Sequence, residues 1–163
     1  MSIIKALNPY SNEFSKSFKQ GKFIPKNRLK YDGDVKNIIY RSSLELQFCN
    51  FCDQNSNIVK WSSECLEIPY MSPMDNKKHT YFPDFEIFIK VDNKIERWII
   101  EVKPKSMLEE PQKPKSNNSK ALKNYNFRLK SYILNMIKLK ASTEYCIRNN
   151  AKYKLVTESF FGK

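Results

Sequence analysis

Tyr81-Phe82-Pro83-Asp84-Phe85 and, beyond a hydrophobic stretch, Ile99-Ile100-Glu101-Val102-Lys103-Pro104 decide the fold of this chain. From Phe85 to Val102 the residues alternate, and Asp92-Asn93-Lys94 supplies a turn signal, so the segment reads as a β-hairpin. With Asn93-Lys94 as a two-residue loop, Ile89 pairs with Trp98, Ile87 with Ile100 and Phe85 with Val102, which leaves one face wholly apolar. The same register sets Asp84 opposite Lys103 and Glu86 opposite Glu101 on the other face. Asp84 and Glu101 are then diagonal neighbours, about 7–8 Å apart. A three-residue loop would send Asp84 to the wrong side, because strand side chains alternate with a period of two. Glu101 follows Trp98-Ile99-Ile100, which reads as a central strand, and a charged residue there is rare unless paired or functional.

Two carboxylates held together are costly, and a divalent cation is the usual remedy. A lysine beside them can attend to the attacking water or to an anionic transition state. Asp84, Glu101 and Lys103 therefore predict the equipment of a metal-dependent nuclease.

A third carboxylate fits this picture. Tyr40-Arg41-Ser42-Ser43-Leu44-Glu45 opens a segment in which Leu44, Phe48, Phe51 and Cys52 form the stripe of a helix packed on a core. Ser42 or Ser43 can cap its start. Glu45 lies at the edge of the stripe, looking along the sheet. Glu64, in Trp61-Ser62-Ser63-Glu64, begins the next expected strand, Cys65 to Tyr70, and reads equally as an exposed strand carboxylate or as an accessory member of the site. His79 and Tyr81, just upstream of Asp84, are candidate DNA contacts, although a lone histidine is more often a bystander.

A helical Glu, then Pro-Asp on one strand and Glu-x-Lys on the next resembles the PD-(D/E)xK nuclease superfamily. Gly21-Lys22-Phe23-Ile24-Pro25-Lys26-Asn27, Lys30-Tyr31-Asp32-Gly33-Asp34, Tyr40-Arg41-Ser42, Trp61-Ser62-Ser63-Glu64 and Ile68-Pro69-Tyr70 resemble the head completion nucleases of T-even-type tailed phages. The likeness runs from about Gly21 to Thr157-Glu158, and it is similar, more distantly, to TnsA-type transposon endonucleases. Residues 1–20 lie outside the pattern. The resemblance implies an α/β fold, a mixed sheet with flanking helices in a restriction-endonuclease-like core. It also implies Mg2+-dependent hydrolysis of phosphodiesters, with Mn2+ as an alternative ion. Asp84 and Glu101 would hold the ion and Glu45 would assist directly or through water. Lys103 would orient or deprotonate the attacking water. The implied partners are double-stranded DNA and phage head or portal and neck proteins.

Composition agrees with a polyanionic partner: 29 Lys and Arg against 17 Asp and Glu give a formal charge of +12. Lys22, Lys26, Arg41, Lys105, Lys113, Lys115 and Lys123 are the candidate DNA contacts. With 163 residues, 40% of them hydrophobic, one domain can bury a proper core. No run approaches the roughly 20 apolar residues of a membrane helix, so no membrane is expected and the host cytoplasm is the expected location, with association with the virion as an alternative. Three glycines exclude a P-loop. Cys49 and Cys52 have zinc-site spacing but lie on the helix with core residues and no second pair follows, so reduced, buried thiols are expected for all four cysteines.

Residues 1–20 read as an N-terminal arm and 21–163 as a single nuclease domain. Within it, Lys22 to Lys36 wraps the domain or touches DNA, and 104–119 forms a Lys- and Pro-rich loop. Leu122, Tyr125, Leu129, Tyr132 and Ile133 mark an amphipathic helix. Asn135 is expected to cap a second helix that reaches Arg148, and Tyr153 to Thr157 closes the sheet. Two rival functions remain: a head–tail joining protein in which the fold binds DNA and catalysis is dispensable, and a transposon-type endonuclease acting with a transposase.

Overall fold

The computed structural model describes residues 20–116 and 118–162. The arm expected over residues 1–20 lies almost wholly outside them. The centre is a four-stranded sheet in the order β3 (Ile58–Ser63), β6 (Phe85–Val91), β7 (Lys94–Val102) and β8 (Lys152–Val156). β3, β6 and β7 are antiparallel neighbours and β7–β8 is parallel, so the sheet is mixed. The parallel pair requires a crossover. That crossover is the long helix α2 (Ser119–Arg148).

The β6–β7 hairpin keeps the expected faces but not the expected loop. Val91 pairs with Lys94, so Asp92-Asn93 forms the turn and every pair is displaced by two residues: Phe85 meets Ile100 and Ile87 meets Trp98. Asp92 and Asn93 both have positive φ, 46° and 64°, as a tight twisted hairpin loop requires, and Asp and Asn tolerate that conformation. A shift of two preserves the alternation, so Phe85, Ile87, Ile89, Ile100 and Val102 still share one buried face. Helix α1 (Ser43–Gln54) packs there through Phe48, whose ring lies 4.9 Å from that of Phe85. The opposite face receives α2, where Arg97 bonds both Glu86, at 2.5 Å, and the Tyr145 hydroxyl, at 3.2 Å.

The segment before α1 wraps the core. Its short strands β1 (Gly21–Lys22) and β2 (Ile39–Tyr40) pair with each other, and Phe23, Ile38 and Tyr40 are buried. The anchor is Asp53, 1% exposed, whose carboxylate accepts the amides of Lys26 and Asn27, both at 2.9 Å. Further along, the Asp32 amide bonds the Trp61 carbonyl on β3, at 2.8 Å.

Three expected elements differ. β3 ends at Ser63, and Glu64 follows it at φ 49° rather than opening a strand. The next strand, β4 (Ile68–Ser72), pairs with β5 (Lys77–Tyr81) as a separate hairpin. The two helices expected on either side of Asn135 are one 30-residue helix. No Pro or Gly interrupts it, and the Asn135 side chain donates to the Met107 carbonyl, at 3.3 Å, instead of capping its own backbone. Cys49, Cys52 and Cys146 are buried free thiols as expected, whereas Cys65 is exposed because it lies in the connection after β3. Among the described residues no helix is long and apolar enough to cross a membrane.

Candidate active site

The last residues of β7 and the residue before β6 build the site. Continuing the β6–β7 register by one residue brings Asp84 face to face with Glu101, closer than the diagonal relation expected from sequence. Asp84 is fixed there because its Oδ2 accepts the Val102 amide, at 2.7 Å. Glu101 is 5% exposed and Lys103, two residues on, points to the same face, its Nζ 2.8 Å from Glu101 Oε1. The second oxygen of Glu101, Oε2, accepts the hydroxyl of Tyr81, the last residue of β5.

The electrostatics follow from this crowding. Burial and the neighbouring Glu101 charge push the Asp84 carboxyl well above the usual carboxylate range, against the opposing pull of Lys103 and the Val102 amide. Burial works against the Lys103 charge, but Glu101 and Asp84 outweigh it and hold the amine above its ordinary value. Lys103 is thus an ammonium, suited to offsetting negative charge rather than to taking a proton. Tyr81 is raised by burial and by the Glu101 charge, which keeps its hydroxyl a donor.

Glu45 stands at the rim. Ser42 is the N-cap of α1, its Oγ accepting the Glu45 amide at 3.1 Å. Glu45 returns the contact, with Oε2 accepting the Arg41 amide at 2.7 Å and Oε1 accepting the Ser42 hydroxyl at 3.0 Å. This is a reciprocal cap of the Ser-x-x-Glu kind, which satisfies donors at the start of the helix. The negative charge of Glu45 still reaches Asp84 and Lys103. Glu64 is ion-paired with Arg41 and so borders the same region. His79 lies farther out on β5, bonded to Asp75 at 2.8 Å and stacked on Tyr70.

The fold therefore brings Asp84, Glu101 and Lys103 together, with Glu45, Arg41 and Glu64 beside them and His79 apart. Among the described residues no three His, Cys, Asp or Glu side chains converge as a complete metal shell. The oxygens of Asp84 and Glu101 are still a suitable donor set for a small divalent cation, since Mg2+ is commonly held by one or two carboxylates and keeps several waters. Lys22, Lys26, Arg41, Lys105, Lys113, Lys115 and Lys123 are all exposed, as cations that meet a phosphate backbone must be. Tyr81, a candidate DNA contact from its place just before the Pro-Asp motif, is instead buried with its hydroxyl on Glu101. Its place against Glu101 follows from the β4–β5 pairing, which the sequence pattern concealed.

The family model described as "TnsA-like endonuclease N terminal" matches residues 55–158, which hold β3, both hairpins, α2 and β8. This chain belongs to the TnsA-like endonuclease family. The match contains Asp84, Glu101 and Lys103 but begins after α1, so it does not include Glu45. The chain is also 36% identical over 138 residues to the head completion nuclease of Enterobacteria phage T4, covering 85% of this chain and 90% of that protein. A mixed sheet with two helices is consistent with the PD-(D/E)xK-like core that the Pro-Asp…Glu-x-Lys order implied.

Proposed function

We propose that this chain is a metal-dependent deoxyribonuclease that cleaves double-stranded DNA in the completion of phage heads. One observation carries the reading: Asp84, Glu101 and Lys103 meet at one end of the β6–β7 hairpin in a chain of an endonuclease family. The role in head completion is supported by the likeness to the T4 protein of that name. On this reading the partners are DNA and head, portal or neck proteins. The reaction takes place in the host cytoplasm or at the assembling virion.

Asp84 and Glu101 would hold Mg2+, with Mn2+ as an alternative, and Glu45 would contribute through water from its capping position. The raised ionisation of Asp84, due to burial first and to the Glu101 charge second, supports this, since a cation would offset both. When bound, the ion supplies Lewis acidity at the phosphoryl oxygen and a more acidic water. Lys103, held by Glu101, presents its ammonium to the phosphate and offsets the charge that grows in the transition state. It also orients the attacking water by donating to it. The basic surface, including Lys22, Lys26, Arg41, Lys105, Lys113, Lys115 and Lys123, holds the duplex by its backbone.

The test is a cleavage assay on linear and closed-circular duplex DNA with Mg2+, Mn2+ or excess EDTA. Metal-dependent loss of either substrate supports the reading, and cutting of the circle identifies internal cleavage. Unchanged DNA under every metal condition, or cleavage undiminished in EDTA, would sink it.

A further inference from the structure

We infer that Tyr81 is a positioning residue of this centre, its hydroxyl fixing the Glu101 carboxylate through Oε2 while Lys103 holds Oε1. The inference rests on the nuclease reading above and adds a residue outside the Asp, Glu and Lys that defined it. The last torsion of a glutamate side chain is broad, so a single contact leaves the carboxylate plane free to turn. Two contacts on different oxygens fix it. One comes from Lys103, the residue after β7, and the other from the end of β5, a strand that belongs to a different sheet.

Tyr81 is itself held. It is 4% exposed, and its register partner Ile68 on β4 is 2% exposed, so the root of the hairpin is part of the packed interior. Lys138 from α2 places its Nζ 5.2 Å from the centre of the Tyr81 ring. Tyr81, Glu101, Lys103, Lys138 and Tyr153 line a cavity of about 10 Å3, space for about one water. The phenol therefore cannot swing away from Glu101 without disturbing both β4 and α2. A buried phenol needs a partner, and any backbone carbonyl would serve that need. Its choice of the one buried carboxylate on the central strand gives it a consequence for the metal site. Partners that orient metal-binding carboxylates typically alter metal affinity or activity by about 10- to 100-fold when removed.

The experiment compares the full-length wild type with Tyr81→Phe, which deletes only the hydroxyl. Mg2+ is titrated by calorimetry and by the metal-induced rise in melting temperature, and cleavage is followed against Mg2+ concentration. The expected result is a half-saturating Mg2+ concentration raised about 10- to 100-fold in both binding and cleavage. Duplex affinity in EDTA should stay within about twofold of wild type, because Tyr81 makes no phosphate contact in this scheme. A Mg2+-responsive wild type with an identical Tyr81→Phe would overturn the inference alone. A Tyr81→Phe chain that no longer melts cooperatively would assign the hydroxyl to the fold and overturn it as well. A wild type indifferent to Mg2+ in binding and cleavage would overturn the nuclease reading and the inference together.

Discussion

Asp84 and Val102 are joined across the end of the β6–β7 hairpin, the carboxylate of one accepting the amide of the other at 2.7 Å. The acid that precedes β6 is thereby tied to the middle residue of Glu101-Val102-Lys103. The bond fixes Asp84 beside a second carboxylate in a region from which water is largely removed, and a proton is its cheapest relief when no cation is present.

The metal-free protein should therefore lose stability as pH rises. The folded-state pKa of Asp84 lies above its unfolded value, which is about 3.9 for a free aspartate. The folded chain then binds more protons across the interval between the two, and stability falls with rising pH through it. Asp84→Asn keeps an oxygen for the Val102 amide and removes the charge. In EDTA, its melting temperature should gain on that of the wild type between pH 5 and pH 9. A gain that shrinks with rising pH would contradict the sign.

Glu101→Ala should abolish cleavage and also cost about 1–3 kcal/mol of stability, since it leaves the buried Tyr81 hydroxyl without its acceptor. Lys103, with 28% of its side chain exposed, can recover part of its solvation. Urea unfolding of the variant against wild type, in EDTA, measures the loss. An unchanged midpoint would mean that the Tyr81–Glu101 contact is dispensable to the fold.

Lys103→Met preserves the length of the stem and removes the ammonium. Cleavage should fall by about 100- to 10,000-fold, because charge stabilisation and water orientation are lost together. Duplex affinity, measured by anisotropy at fixed salt, should change little, since one cation among many contributes modestly to the phosphate contacts. Wild-type turnover by this variant would remove Lys103 from the chemistry. Infectious particles made with a cleavage-dead variant would show that cutting is not what assembly requires.

The alternation from Phe85 to Val102 was enough to put Asp84, Glu101 and Lys103 on one face, because a hairpin displaced by two residues keeps every side chain on its own side. The turn itself was less legible. Asp92-Asn93 and Asn93-Lys94 differ only in which residues accept positive φ, and Asp and Asn both do. β4 is legible as a strand, but starting at Cys65 rather than Ile68, whereas β5 and its pairing with β4 are not, because Lys77-Lys78-His79-Thr80 carries no apolar alternation. Asn135 carried a real capping signal, but the carbonyl it serves belongs to Met107, 28 residues away. Such long-range partners leave no local trace. The hold of Glu45 on the Arg41 amide is local chemistry that the Ser42-x-x-Glu45 spacing already contains.

Asp53 is the clearest of the unheralded residues, an acid near the end of α1 whose acceptors serve amides more than 20 residues upstream. Asp53→Ala should destabilise the chain by about 1–3 kcal/mol through the unpaired Lys26 and Asn27 amides. It should also expose residues 20–36 to limited proteolysis before the sheet unfolds. Cleavage of that segment no faster than in wild type would show that the buried Phe23 and Ile38 hold it without Asp53.

The bond from the Asp32 amide to the Trp61 carbonyl has a bearing on how copies of this protein behave in a crowd. β3 is one of the two outer strands of the sheet, and an outer strand offers its unpaired backbone groups to any extended chain nearby. Residues 31 and 32 occupy that offer at Trp61, where Tyr31 also bridges the strand. The upstream segment thus shields this edge of the sheet against strand-by-strand polymerisation, and peeling it away should make the protein self-associate.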